Sequence, residues 1–244
     1  MLGRKMIQID SVDSTNNYVA KLLIEQKIEH GTVIMAEEQT AGKGQRGTVW
    51  SSKPGENLIF SIYLDTAKLS VREQFVLTQF VSVSVAEMLR KQGLNPVVKW
   101  PNDVLINHKK IAGILIENQL SGQNLNGTIV GIGLNVNQIE FGELNATSMC
   151  LEKNQKMAVQ EIAFSLIHEL NRFWEYVENR DFNLLNQLYL SNMWLLNVPA
   201  KFTDNEGMFE GIIRGFEESG LLRMEKNGSI VNYDLKEIAF NFEC

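Results

Sequence analysis

Gly42-Lys43-Gly44-Gln45-Arg46-Gly47-Thr48-Val49-Trp50-Ser51-Ser52-Lys53-Pro54-Gly55 is the stretch whose reading decides the fold. It follows an apolar, β-branched run at 32–36 and fits G-x-G-x-x-G, the pattern of a dinucleotide-binding turn. That fold needs a helix opening across the glycines, whereas Thr48, Val49 and Trp50 favour extended chain and Ser51 to Gly55 reads as a turn. Val49 completes the G-x-G-x-x-G-x-V form of protein kinases, yet neither H-R-D-x-x-x-x-N nor D-F-G follows. Both folds are set aside. Two readings remain. In one, glycine amides approach a phosphate or carboxylate and Lys43 and Arg46 supply charge. In the other, this is a surface loop with incidental basic residues.

Around this stretch, short runs rich in β-branched residues at 6–9, 58–64, 97–99, 104–106, 111–116 and 128–136 predict strands. Ser70-Val71-Arg72-Glu73 has capping-box spacing and opens a helix carrying Phe75, Val76, Phe80, Val83 and Leu89, with Gly93 as its stop. Further helices are predicted from Ser14 to about Gln26, capped by Asp13, Ser14 or Thr15, and over 159–178 and 182–189. The 159–178 helix turns Ile162, Leu166, Leu170, Phe173 and Val177 inward. Beyond Val198, closely spaced turn signals such as Lys226-Asn227-Gly228 predict hairpins of a small barrel or sandwich, with a boundary near 194–199.

Composition narrows the function. The 244 residues are 44% hydrophobic with net charge −6, which supports a full core and argues against a general nucleic-acid binder. Cys150 and Cys244 have no paired spacing, and His30, His108 and His168 are isolated, so neither a disulfide framework nor a metal-ligand set is predicted. No apolar run reaches the length of about 18 residues that a spanning helix needs. The expected setting is reduced cytoplasm with no membrane.

Other segments carry chemistry. In Lys99-Trp100-Pro101-Asn102-Asp103 the proline restricts Trp100 to extended backbone and fixes the projection of Asn102 and Asp103. Such a group can hold Mg²⁺ and a polyphosphate, or form an Asx-type turn. Asn107-His108-Lys109-Lys110 predicts a turn into a strand whose Ala112 and Gly113 leave space beside the backbone. Gly131-Ile132-Gly133-Leu134-Asn135-Val136-Asn137 ends in two asparagines on one face, which line a pocket or simply terminate a strand.

In this order, Asp13-Ser14-Thr15-Asn16, Glu38 to Gly47, Lys99 to Asp103, Lys110 to Leu115 and Gly131 to Asn135 together resemble the biotin protein ligase family, closely over 7–137. The resemblance implies an α+β fold: a mixed-sheet catalytic domain at 1–195, similar to class II aminoacyl-tRNA synthetases and lipoate ligases, then a small Src-homology-3-like β-barrel at 196–244. It implies ATP-dependent activation of biotin to biotinyl-5′-AMP and transfer to a lysine of a biotin carboxyl carrier domain. ATP and Mg²⁺ are the implied cofactors, and a homodimer is left open.

Position by position, the resemblance makes Ser14, Thr15, Asn16, Gln39, Gly42, Lys43, Gly44, Gln45, Lys110 and Gly113 biotin-binding. Arg46, Trp50, Lys99, Asn102 and Asn135 fall to ATP or adenylate, and Asp103 to Mg²⁺. Lys110, Lys43 and Arg46 are the implied catalytic residues. Many relatives carry Gly-Arg-Gly-Arg-Arg-Gly in the loop. Here Lys43 keeps charge without a bidentate fork and Gln45 carries none, which bears on how firmly the loop retains an adenylate. The chemistry agrees: a carboxylate and then an amine are the nucleophiles, so the enzyme supplies cations and amides rather than a nucleophile. The nearest alternative is a lipoate or octanoate ligase or transferase of the same fold. A biotin-sensing regulator is the alternative of another class, and it requires a DNA-reading domain that the five residues before Met6 do not supply.

Overall fold

The computed structural model describes residues 1–241, apart from the side chain of Arg46; Cys244 therefore lies outside the described residues. A mixed α+β architecture results. Strands β1 (Met6–Val12), β2 (Val33–Gln39), β3 (Leu58–Leu64), β4 (Val97–Lys99), β5 (Asp103–Ile106), β6 (Lys109–Ser121) and β7 (Asn124–Leu134) form one seven-stranded sheet. Their order is β1-β2-β3-β7-β6-β5-β4, with β1 and β2 parallel and every other neighbour antiparallel. The parallel pair needs a crossover, supplied by helix α1 (Thr15–Ile24).

Alternation along the strands sorts the two faces. Leu58, Phe60 and Ile62, Val130, Ile132 and Leu134, and Ala112 and Ile114 join the main core with helices α2 (Phe75–Lys91), α4 (Val159–Glu178) and α5 (Phe182–Asn192). Helix α2 is buried nearly all round, even at Ser82 and Ser84, because it lies between the sheet and the other two helices. The expected capping box forms on a 3-10 turn, Val71–Glu73, that leads into α2, with the Ser70 amide and hydroxyl both donating to Glu73 at 2.9 Å, and Gly93 ends the helix at φ +82°. The apolar face expected for α4 is wholly buried. On the opposite face, α1 covers only one end, packing Val19 against Ile34 and Ile129. The rest of that face is open to a ligand.

One helix has no counterpart in the sequence reading. Helix α3 (Met149–Lys153) is a single short turn, with Ser148 Oγ accepting from the Leu151 amide at 3.2 Å. Strands β8 (Pro199–Asp204), β9 (Gly207–Phe216), β10 (Leu222–Lys226), β11 (Ser229–Tyr233) and β12 (Ala239–Phe240) form a second, antiparallel sheet ordered β11-β10-β9-β8-β12. Asn227 and Gly228, both at positive φ, turn β10 into β11, as the sequence predicts. This sheet shares its core with the first: Phe202, Ile213, Leu222 and Met224 belong to the same apolar cluster as α2. Trp100 Nε1 also donates to Gly220 O at 2.9 Å, a contact 120 residues apart in sequence.

Candidate active site

On the face that α1 partly covers, three cross-strand rows run over β3, β7 and β6: a floor row Ile59–Gly133–Gly113 and, nearer α1, Ser61–Gly131–Leu115 and Tyr63–Ile129–Glu117. Two glycines, Gly113 and Gly133, face each other in the first row. A Cβ on Gly133 would meet the Trp50 ring at 2.3 Å, and one on Gly113 would meet it at 3.2 Å. Bare backbone at these positions is what lets the indole lie flat on the sheet. Trp50 Nε1 is buried there and lacks a hydrogen-bond partner.

The glycine-rich stretch is a hairpin, with extended chain at Thr48–Trp50 where a dinucleotide-binding turn would open a helix. Lys43 bridges Val49, the Gly44 amide donates to Thr48 O at 2.7 Å and the Trp50 amide to Gly42 O at 3.0 Å, with a 3-10 turn at Gln45–Gly47. Gly42 and Gly44 are tight: a Cβ on either would come within 2.3 Å of the opposite limb. Lys43 Nζ donates to Asn17 Oδ1 at 2.6 Å, which ties the hairpin to α1. Asn17 in turn donates to Asp13, and this bond, with the Ser14 amide and nearby Lys43, holds the Asp13 carboxyl below its ordinary value.

The start of α1 makes a polar wall. Ser14 is the N-cap, but its buried side chain makes no capping hydrogen bond, contrary to one of the expected caps. Gln39 Oε1 instead takes the Thr15 amide at 2.8 Å and the Thr15 hydroxyl at 3.1 Å. Ser61 and Glu117 flank Asn16, at 2.6 and 2.7 Å. At the other end, Asn107 and His108, both at positive φ, make the turn between β5 and β6. Lys110 Nζ then sits 2.6 Å from Asp103 Oδ1 and 5.7 Å from the Trp50 ring centre.

These elements enclose a cavity of about 360 Å³. Ser14, Thr15, Asn16, Gln39, Lys43, Gly44, Gln45, Trp50, Asn102, Asp103, Lys110 and Gly113 all line it. Gly42 stands behind the lining, in the hairpin. Lys99 and Asn135 are not lining residues. Burial, with Lys110 adding to it and Asp103 opposing, keeps the Lys99 ammonium below the ordinary lysine value. Asn135 is buried and donates to Thr147 O at 3.0 Å, holding the segment beside Lys110. Arg46, expected at ATP, has its side chain outside the described residues. Asn102 lines the cavity while its amide donates to Ile114 O at 2.6 Å.

Gly131, Gly133, Leu235 and Lys236 line the cavity without having been singled out as site residues. Gly131 and Gly133 carried a signal, their place in a glycine-rich strand. Leu235 and Lys236 carried none, since they come from the turn between β11 and β12 in the second sheet. The lining so described holds Lys43, Lys110 and Lys236 against Asp103 alone, a local positive charge inside an acidic protein. Among the described residues, no group of three or more His, Cys, Asp or Glu side chains is placed to hold a metal ion. No helix among them is long and apolar enough to cross a membrane.

Comparison with known proteins agrees with this geometry. The chain is 30% identical over 241 residues to the bifunctional ligase/repressor BirA of Bacillus subtilis (strain 168), covering 94% of this chain and 72% of that one. It is 27% identical over 223 residues to the biotin–[acetyl-CoA-carboxylase] ligase of Paracoccus denitrificans, covering 86% and 90%. The solved biotin protein ligase from Aquifex aeolicus, in complex with biotin and ATP, superposes with a TM-score of 0.81 at 27% identity, covering 98% of this chain and all of that one. The profile of the biotin/lipoate A/B protein ligase family matches residues 8–135, and the chain belongs to that family.

Proposed function

We infer that this protein is a biotin protein ligase, which joins biotin to a lysine of the biotin carboxyl carrier domain of an acetyl-CoA carboxylase. One observation carries the reading: a single cavity holds a neutral polar wall at Ser14–Asn16 and Gln39 and, across the glycine floor, the charged pair Lys110 and Asp103. That layout suits a ligand with a neutral polar ring at one end and a reacting carboxylate at the other. A relative named for acetyl-CoA carboxylase and a neighbour solved with biotin and ATP support it.

Two displacements make up the reaction. A carboxylate oxygen of biotin bonds to the α-phosphorus of ATP as the bond to the β-phosphate's bridging oxygen breaks, releasing pyrophosphate. The neutral ε-amine of the acceptor lysine then bonds to the carbonyl carbon of the mixed anhydride, AMP departs, and the nitrogen loses a proton. In this reading Lys110, which lines the cavity, offsets the repulsion between carboxylate and α-phosphate, a stabilisation worth about 3 kcal/mol for one well-placed donor. The hairpin carrying Lys43, Gly44 and Gln45 forms one side of the cavity and in this reading shields the anhydride from water. Trp50 offers a flat apolar face for the adenylate.

Asp103 is the one carboxylate of the described lining, which fits a Mg²⁺ ion held mainly by the triphosphate. When bound, that ion neutralises charge on the departing pyrophosphate. The finer divisions are part of the same reading: a class II synthetase-like catalytic domain over 1–195, a Src-homology-3-like barrel beyond it, and a cytoplasmic setting. Incubation of the protein with ATP, Mg²⁺, biotin and a carboxylase carrier domain tests the reading. The carrier should gain the mass of one biotinyl group on one lysine, and a carrier left unmodified overturns it.

A further inference from the structure

Ser61 on β3 and Glu117 on β6 do not line the cavity, yet both touch residues that do. They flank Asn16 over Gly131, whose missing side chain leaves room for the amide: a Cβ there would lie 2.6 Å from Asn16 Oδ1. A line of hydrogen bonds runs across three strands and the start of α1. Asn16 Nδ2 donates to Glu117 at 2.7 Å, Ser61 Oγ lies 2.6 Å from both Asn16 Oδ1 and Thr15 Oγ1, and Thr15 donates to Gln39 Oε1.

The direction of each bond follows from donor capacity. An ionised carboxylate only accepts, so Glu117 draws the NH₂ of Asn16 toward itself and turns Oδ1 the other way. Oδ1 only accepts, so the single proton of the buried Ser61 hydroxyl goes to it. Thr15 then has only acceptors beside its hydroxyl, Ser61 Oγ at 2.6 Å and Gln39 Oε1 at 3.1 Å, and its proton is used inside the wall. On these two side chains, what remains for a ligand is lone pairs on Thr15 Oγ1 and Asn16 Oδ1.

We propose that Glu117 is a positioning residue that, through Asn16 and Ser61, fixes the Thr15–Asn16 part of the cavity wall as hydrogen-bond acceptors and so selects a ring bearing N–H donors. This deepens the biotin reading and rests on it. A cyclic urea can donate to such a wall, whereas a dithiolane has no N–H and would leave the remaining lone pairs of Thr15 Oγ1 and Asn16 Oδ1 facing apolar sulfur and carbon. Sites built to pair a polar group discriminate strongly against analogues that lack it. No proton or electron moves in this role; the residue sets orientation alone.

Glu117→Gln keeps the shape but lets either end of an amide face Asn16, so the direction of the relay is no longer fixed. Steady-state pyrophosphate release is measured with biotin and with a biotin methylated on the ureido nitrogens. In the wild type, biotin should be preferred by about a hundredfold or more. In Glu117→Gln that ratio should fall at least about tenfold through a higher KM for biotin, with the KM for ATP within about twofold. Glu117→Asp, still acceptor-only, should restore the ratio. Should Glu117→Gln fail to fold, Ser61→Ala breaks the same relay and the ratio should fall likewise. An unchanged ratio in a folded, active variant overturns the proposal and leaves the ligase reading intact. A wild-type protein that uses lipoate and not biotin overturns both.

Discussion

Lys110 Nζ lies 2.6 Å from Asp103 Oδ1, an ion pair joining the strands on either side of the Asn107-His108 turn at the mouth of the cavity. Both partners are partly exposed, so the pair adds little to stability, about 0–1 kcal/mol. What the pair fixes is placement: it holds the ammonium 5.7 Å from the Trp50 ring centre, on the cavity wall. Lys110→Ala should lower biotin-dependent pyrophosphate release about 10²- to 10³-fold with little change in melting temperature. Rapid-quench measurement of adenylate formation checks this. Loss of activity only in step with loss of fold would count against a catalytic role.

The facing glycines make a second prediction. A methyl on Gly133 would lie 2.3 Å from Trp50 Cε2, so Gly133→Ala must push the indole off the floor. Tryptophan fluorescence should shift, and kcat/KM should fall by about tenfold or more. Gly228→Ala, with open space around a turn glycine in the second sheet, should leave kcat/KM unchanged although it strains the backbone at φ +77°.

Lys236 reaches the cavity from the second sheet. Its turn is well tied: the Leu235 amide donates to Asp234 Oδ1 and the Asp234 amide to Glu237, both at 2.6 Å. A cation held there suits the phosphates of ATP better than the neutral ring of biotin. Lys236→Ala should raise the KM for ATP about three- to tenfold while the KM for biotin stays unchanged, and the effect should shrink at high salt.

Much of this was legible beforehand, for physical reasons. The bounds of β3 and β4 follow from short apolar runs and those of α4 from helical periodicity, and the cavity gathers most of the residues drawn from the motifs. What stayed hidden depends on register. Ser61 is a single polar residue in an apolar strand and Glu117 opens a polar run, Glu117-Asn118-Gln119, so neither stands out until the strand order puts both beside Asn16. Lys236 follows the lysine-rich hairpin turn by more than a hundred residues and joins it only through tertiary packing. Asn135 was read toward a nucleotide, and its amide is occupied by the Thr147 backbone. Helix α3, five residues long, is too short for a periodic signal.

Acid stability should report on the second sheet. The hydrogen bond from Lys226 at 2.7 Å, together with that from Tyr233 and against opposing burial, lowers Asp204 from 3.8 to about 2. Because the folded value is depressed, the stabilisation is present above about pH 4 and lost as pH falls toward 2. Asp204→Asn should lower the melting temperature at pH 7 and flatten its fall between pH 4 and 2. Thermal melts across that window decide it; parallel acid limbs for both proteins would contradict the assignment.

The central claim is that one cavity activates biotin with ATP. Its most direct measurement is exchange of labelled pyrophosphate into ATP by the purified protein with Mg²⁺, with no carrier domain added and with biotin or lipoate as the only acid. Exchange that depends on biotin, and is absent with lipoate, is the predicted result. Exchange driven by lipoate and not by biotin would contradict the account.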